Sequence, residues 1–216
     1  MAAYALHAQH FILPSKMTGE GYLAVKDGKF GRFSEEKPDT DIVELGDAIV
    51  SPGLVDTHIH GFFGLATPDC DAEGLNAASL ELARRGTTAW LPTTFTDSVD
   101  NIAQQCKAIR DARASRDDGF MGARMPGIYL ERPFFTYKHK GAQNPKYLVP
   151  PSYADYKRWQ ESSDNMIVKS ALAAEYDEAE EYISKLAAEG VVTAIGHSDA
   201  TYAETLRAVR AGATCF

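Results

Sequence analysis

Two histidines close an apolar stretch, PGLVDTHIHGFFG, at residues 52–64. His58 and His60 are two positions apart, so on an extended strand both imidazoles project to one face and can reach one point. Gly61 follows at once and lets the backbone turn away close to that point. Further along, Glu131 ends the apolar run IYLE and His197 ends VVTAIGH. A carboxylate at the end of an apolar strand is expensive to bury unless it is paired or holds a cation. Three imidazoles and a carboxylate form a donor set for Zn²⁺ or a similar borderline divalent ion, and such a set could hold one ion or two. An ion placed there lowers the pKa of water and polarises a carbonyl, so the chemistry indicated is hydrolysis of an amide or ester. Asp56 shares the inward parity of His58 and either orients a histidine or packs deeper in the fold. Glu175, at the end of LAAE, is the in-chain candidate for a proton shuttle. Asp199 reads instead as the cap of the helix that follows it.

The elements that must position these residues follow from periodicity. Residues 4–50 alternate in short strands and turns, with Asp27-Gly28 as a hairpin signal. We read residues 1–50 as a small β-domain, part of a β-sandwich, and 51–216 as a second unit of different texture. His7 and His10 fall in the first region and read as ordinary strand residues. From Leu54 onward, apolar strands alternate with helical patterns. The strands are expected at 54–60, 87–94, 126–131, 166–175 and 191–197. The helices are expected at 72–85, 99–114, 152–163, 177–189 and 201–210, with Leu75, Ala78, Leu82, Ile102, Cys106, Ile109, Ile183, Leu186, Ala187, Leu206 and Val209 inward. Asp97 or Ser98 caps the second of these helices. The final ATCF opens a sixth strand. Strands apolar on both faces and separated by helices argue for an α/β fold with a parallel sheet.

An open doubly wound sheet and a (β/α)₈ TIM-type barrel both accommodate the repeats. The barrel is favoured because the candidate ligands sit at the ends of strands one, three and five, where barrel sites are assembled. The absence of a glycine-rich dinucleotide loop after the first strand points the same way. Eight strands need about 250 residues, so the expectation is an incomplete barrel of five βα units plus the start of a sixth strand. Its two bare edges would be an aggregation liability, so either the chain is the amino-terminal portion of something longer, which is the favoured reading, or a partner chain completes it.

Composition narrows the function classes. The formal net charge is −8 at pH 7, from 22 basic and 30 acidic residues, which argues against nucleic acid or an anionic membrane as partner. No apolar run is long enough to span a bilayer, and the amino terminus lacks the parts of a secretory signal. Cys70, Cys106 and Cys215 are odd in number and without metal-ligand spacing, as expected of reduced thiols in the cytoplasm. The loop after the third strand gathers Arg132, Lys138, His139, Lys140 and Lys146, and this cluster either receives a phosphate or carboxylate or is simply solvated. Phe134, Phe135 and Tyr137 line the site or anchor that loop, and Trp90 and Trp159 read as core.

The segments PGLVDTHIHG, GTTAWLPTTFT, GIYLERPFF, KGAQNP, LAAE and GHSDAT with AGAT behind it occur in an order and spacing that resembles the N-acetylglucosamine-6-phosphate deacetylases of the amidohydrolase superfamily. The resemblance runs over the whole chain. It implies a metal-dependent (β/α)₈ barrel with a small β-sandwich, a homodimer, and hydrolysis of the acetamide of the phosphorylated amino sugar. It further implies Glu131 and His197 as ligands of a main metal, His58 and His60 as ligands of a second, and Ala142 and Gln143 at the substrate. The ion would be Zn²⁺, with Fe²⁺ or another divalent ion as the alternative. The family's third main-metal histidine and its general-base aspartate would fall beyond Phe216, so no catalytic base is assigned here and the chain alone is expected to be incompetent. Arg132 replaces a usual glycine, Ala66 a common aspartate, and Tyr129 and Gln143 stand where many members carry histidines. Two further readings remain at this point: an amidohydrolase acting on a cyclic amide or purine base, and a non-catalytic truncated barrel serving as a binding or assembly partner.

Overall fold

The computed structural model describes residues 3–69, 71–131 and 133–216, so Cys70 and Arg132 lie outside the described residues. The chain divides into two compact units, Met1–Gly53 and Leu54–Phe216.

The first unit is built of short strands: β1 (Tyr4–Ala8), β2 (His10–Leu13), β3 (Lys16–Thr18), β4 (Gly21–Lys26), β5 (Lys29–Ser34), β6 (Asp41–Glu44) and β7 (Ile49–Val50). They form two sheets, ordered β5-β4-β1-β6 and β3-β2-β7. The β4–β5 hairpin closes on Asp27 and Gly28, both at positive φ (51° and 72°), the conformation that a two-residue turn of the primed type requires. Ala5, Ala8, Phe11 and Val25 are buried. His7 on β1 bridges the carboxylates of Glu44 on β6 (Nδ1 to Oε2, 2.5 Å) and Glu20 (Nε2 to Oε1, 3.1 Å) and stacks on Tyr22. It is therefore a tie across the sheet rather than an ordinary strand residue.

The second unit runs β8 (Leu54–Ile59), the small hairpin β9 (Gly61–Phe62) and β10 (Leu65–Ala66), α1 (Ala72–Ala83), β11 (Thr87–Pro92), α2 (Val99–Ala114), β12 (Ile128–Glu131), α3 (Tyr153–Ser162), β13 (Ile167–Leu172), α4 (Ala179–Ala188), β14 (Val192–Ile195) and α5 (Tyr202–Ala211). The pairs β8–β11, β12–β13 and β13–β14 are all parallel. Single bridges from Thr93 to Tyr129 and from Ala194 to Cys215 join β11 to β12 and begin the next strand after β14. The strands thus follow chain order in an open arc. This is an α/β fold, part of a (β/α)₈ barrel, and the described residues do not close it.

Parity along β12 separates the two faces. Ile128 and Leu130 enter the large core under the helices, together with Trp90, Ile102, Ile109, Trp159, Ile183 and Leu186. Tyr129 joins Leu91, Phe135, Ala171 and Ala194 in a second cluster on the opposite face. Glu131 shares the parity of Tyr129. Serine caps α2 as expected, the Ser98 side chain accepting from the Asn101 N–H.

Three expectations are corrected. Thr201, not Asp199, caps α5, in a full capping box with Glu204; the Asp199 carboxylate is taken by other partners. Val209 is 41 % exposed and Leu206 only partly buried, while Ala208 is the inward residue. The α4–α5 contact is made of small groups, since a Cβ at Gly212 would stand 2.8 Å from Cβ of Ala187, and this close approach turns Ala208 rather than its larger neighbours inward. On α4, Tyr182 is buried and Ala187 is exposed, because the Tyr182 hydroxyl reaches under the helix to Ser170 at 2.9 Å.

Candidate metal centre

Glu131 ends β12 at 3 % exposure. Its Oε2 lies 2.8 Å from Nε2 of His60 and 3.2 Å from Nε2 of His58, and its Oε1 lies 3.5 Å from Nε2 of His197. The ligand atoms of His58, His60 and Glu131 all fall within 4.8 Å of one another. Residues from the ends of β8, β12 and β14 thus meet on one carboxylate whose two oxygens divide the histidines: His58 and His60 on one, His197 on the other.

Second partners set which nitrogen faces inward. Nδ1 of His60 is 3.3 Å from the carbonyl of Thr93, and Nδ1 of His197 is 2.7 Å from the carbonyl of His139. A carbonyl only accepts, so in both rings Nδ1 carries a proton, and in the neutral imidazole it is then Nε2 that presents its lone pair to the Glu131 carboxylate. Lone pair against carboxylate is repulsive unless a cation lies between them. Two donors each about 2.1 Å from one tetrahedral ion stand about 3.4 Å apart, close to the separations seen here. The residues present therefore fit a divalent ion.

Aromatic contacts hold the rings in place. His58 meets the edge of Tyr129 at 4.9 Å between centroids, and Lys169, opposite Tyr129 in the strand register, lies over that ring at 4.1 Å. His60 packs edge-on to Phe95, and Phe135 stacks on His197 at 4.4 Å. Asp56 accepts the backbone N–H of His58 at 3.0 Å, so it braces the strand end and not an imidazole. A cavity of about 360 Å³ opens beside His60, lined also by Ala66, Asp69, Phe95, Thr96 and Gln105.

The loop after β12 folds back on the site. Phe134 and Phe135 are fully buried and anchor it, while Tyr137 is exposed. Lys138 and His139, which belong to the basic cluster, both turn to the Asp199 carboxylate at 2.8 and 3.0 Å and hold it below the usual carboxylate range, Lys138 foremost. Ala142 is exposed; Gln143 is buried, and its Oε1 has no hydrogen-bond partner among the described residues. Glu175 accepts the Ser198 hydroxyl at 2.5 Å and the Asp199 N–H at 2.7 Å, which commits both its oxygens to the turn after β14 rather than to a reacting proton. Sequence reasoning missed Thr93 and the His139 carbonyl as partners, because a backbone oxygen carries no residue-type signal. The pairing of Tyr129 with Lys169 was open to detection only through strand register.

The sequence profile of the amidohydrolase family matches residues 49–214. The N-acetylglucosamine-6-phosphate deacetylase of Bacillus subtilis strain 168 is 33 % identical over 207 residues, 94 % of this chain and 52 % of that protein. The N-acetylgalactosamine-6-phosphate deacetylase of Escherichia coli O157:H7 is 30 % identical over 210 residues, 97 % of this chain and 54 % of that protein. The structure of the D267A mutant of N-acetyl-D-glucosamine-6-phosphate deacetylase from Mycobacterium smegmatis, in complex with N-acetyl-D-glucosamine-6-phosphate, superposes with a TM-score of 0.87 at 27 % identity, over 99 % of this chain and 55 % of that one. The chain spans about half the length of the curated relatives it matches. With a family profile running from the end of the β unit to the opening of the sixth strand, and through all four residues of the centre, the chain belongs to the amidohydrolase family.

Proposed function

We propose that this chain supplies the metal-holding part of a deacetylase that hydrolyses the acetamide of N-acetylglucosamine-6-phosphate to glucosamine-6-phosphate and acetate. The observation that carries the reading is the convergence of three imidazole Nε2 atoms on the buried Glu131 carboxylate. Glu131 and His197 would hold the main ion, and His58 and His60 a second where two are bound. Zn²⁺ suits imidazole and carboxylate donors, with Fe²⁺ as the alternative. When bound, the ion lowers the pKa of water and polarises the acetamide carbonyl. The chain's own residues act by position: Glu131 offers its two oxygens to opposite sides of the centre, and the Thr93 and His139 carbonyls, by accepting from Nδ1, leave Nε2 of His60 and His197 on the side of that carboxylate. Ala142 and Gln143 lie at the substrate in this reading, and the Oε1 of Gln143, which has no partner among the described residues, is an acceptor for a substrate donor. The free thiols Cys106 and Cys215 are in keeping with a cytoplasmic protein, and the homodimer is carried over from the resemblance.

The full protein, loaded with Zn²⁺, is assayed for acetate released from N-acetylglucosamine-6-phosphate, from N-acetylgalactosamine-6-phosphate and from a panel of cyclic amides. Preferred turnover of the first is expected. Turnover of cyclic amides alone would overturn the substrate assignment, and absence of stoichiometric metal after reconstitution would overturn the hydrolase reading.

A further inference from the structure

We infer that Asp199 is a positioning residue that fixes the tautomer of His197 through the loop it holds. Its carboxylate receives Nζ of Lys138 on both oxygens, at 2.8 and 2.9 Å, and Nε2 of His139 at 3.0 Å. The carbonyl of that same His139 takes the Nδ1–H of His197 at 2.7 Å. The circuit is short: Asp199, two residues after His197, grips the side chains of the segment whose backbone oxygen grips His197.

An exposed ion pair by itself contributes little. Here the carboxylate gathers two side chains, and the contacts around it make the arrangement specific. Glu175 holds Asp199 from behind, accepting its backbone N–H at 2.7 Å. Thr136 donates its N–H to the carbonyl of His197 at 3.2 Å. Gly141, at φ +59°, passes so near that a Cβ there would be 3.4 Å from Cε1 of His197, while Phe135 stacks on the ring. The imidazole is thus confined, and its Nδ1 faces the His139 carbonyl. With that carbonyl in place, the neutral ring has Nε2 as the lone-pair nitrogen facing Glu131. When the grip on Lys138 and His139 is lost, the carbonyl is free to move, the other tautomer becomes accessible, and Nε2 is blocked by a proton.

The inference rests on the reading of His197 as a metal ligand, and its test separates the two. Long-range ¹⁵N NMR of the metal-free full protein reads the His197 tautomer directly; Zn²⁺ titration reads affinity. We expect the Nδ1–H form in the wild type, a mixture of tautomers in Asp199→Ala with a roughly 10–100-fold loss of Zn²⁺ affinity, and substantial recovery of both in Asp199→Asn, which keeps an acceptor. Should Asp199→Ala fail to fold, the double variant Lys138→Met with His139→Ala removes the grip from the loop side and must give the same mixture. An unchanged tautomer and unchanged affinity in the folded variant overturn the inference. A wild type that takes up no Zn²⁺ overturns the metal reading instead, while the tautomer spectrum still decides the role of Asp199.

Discussion

Nε2 of His60 lies 2.8 Å from Oε2 of Glu131, across the gap between the ends of β8 and β12. The imidazole is backed by the Thr93 carbonyl and the carboxylate is buried, so neither group can turn to solvent without leaving a partner unpaired. Everything else at the centre is arranged around this pair.

We expect Glu131→Gln to abolish stoichiometric metal uptake with the fold retained. The amide keeps the volume but removes the charge that two sets of imidazoles share. The loss should exceed the roughly 10–100-fold typical of losing an outer partner. Metal analysis after dialysis against Zn²⁺, alongside circular dichroism, checks it; full occupancy in the variant would place the ion elsewhere.

His197→Ala should likewise lower metal content, because it removes the donor on the other carboxylate oxygen. Unchanged occupancy would show that His58, His60 and Glu131 suffice.

Gly61→Ala should damage the centre from outside it. Gly61 sits at φ +145°, and a Cβ there would lie 2.1 Å from the backbone oxygen of Leu65. The β9–β10 hairpin must open to admit a methyl group, and His60 is the residue before it. We expect weaker Zn²⁺ binding in calorimetry together with loss of amide protection at Phe62 and Leu65.

The first unit should carry a pH-dependent tie at His7. Its hydrogen bond to the Glu44 carboxylate, with Glu20 assisting, raises its pKa above the ordinary 6.5. A raised folded-state value stabilises fully below the unfolded value and is lost as pH rises through the folded one. Amide protection of β1 and β6, corrected for intrinsic exchange, should therefore fall as pH rises from the ordinary histidine value through the higher folded-state one, and His7→Gln should flatten the profile. An equal slope in the variant would exclude the tie.

In the helix-side core, Trp159→Ala should destabilise the second unit by about 3–5 kcal/mol. The indole is fully buried, and its Nε1 donates to the carbonyl of Val99 at 2.9 Å, joining α3 to the start of α2. Urea unfolding measures the shift.

Much of this was legible from local pattern. Val99–Ala114 was readable as a helix with Ser98 as its cap, because a 3.6-residue apolar stripe and a capping hydroxyl are both local signals. Strand ends were less legible: β13 stops at Leu172, three residues short of Glu175, since the next N–H, at Ala173, pairs with the carbonyl of Phe134 in the returning loop. No pattern within the strand records that loop's path. The inward face of α5 was misread for a similar reason, because a close contact at Gly212 and Ala187 outweighs the larger side chains of its own helix.

The sequence by itself determined the candidate donors and the order in which they are delivered. His58, His60, Glu131 and His197 are recognisable because ligand chemistry resides in residue type, and alternation of strand and helix sets parity and sequence along the arc. Tertiary structure alone decided that Glu131 stands between the histidines, that two backbone carbonyls face the Nδ1 atoms of His60 and His197, and that Asp199 reaches back some 60 residues to the loop instead of capping its own helix. Those relations depend on strand register and on where a long loop returns. Both are settled by packing against distant parts of the chain, which local sequence does not encode.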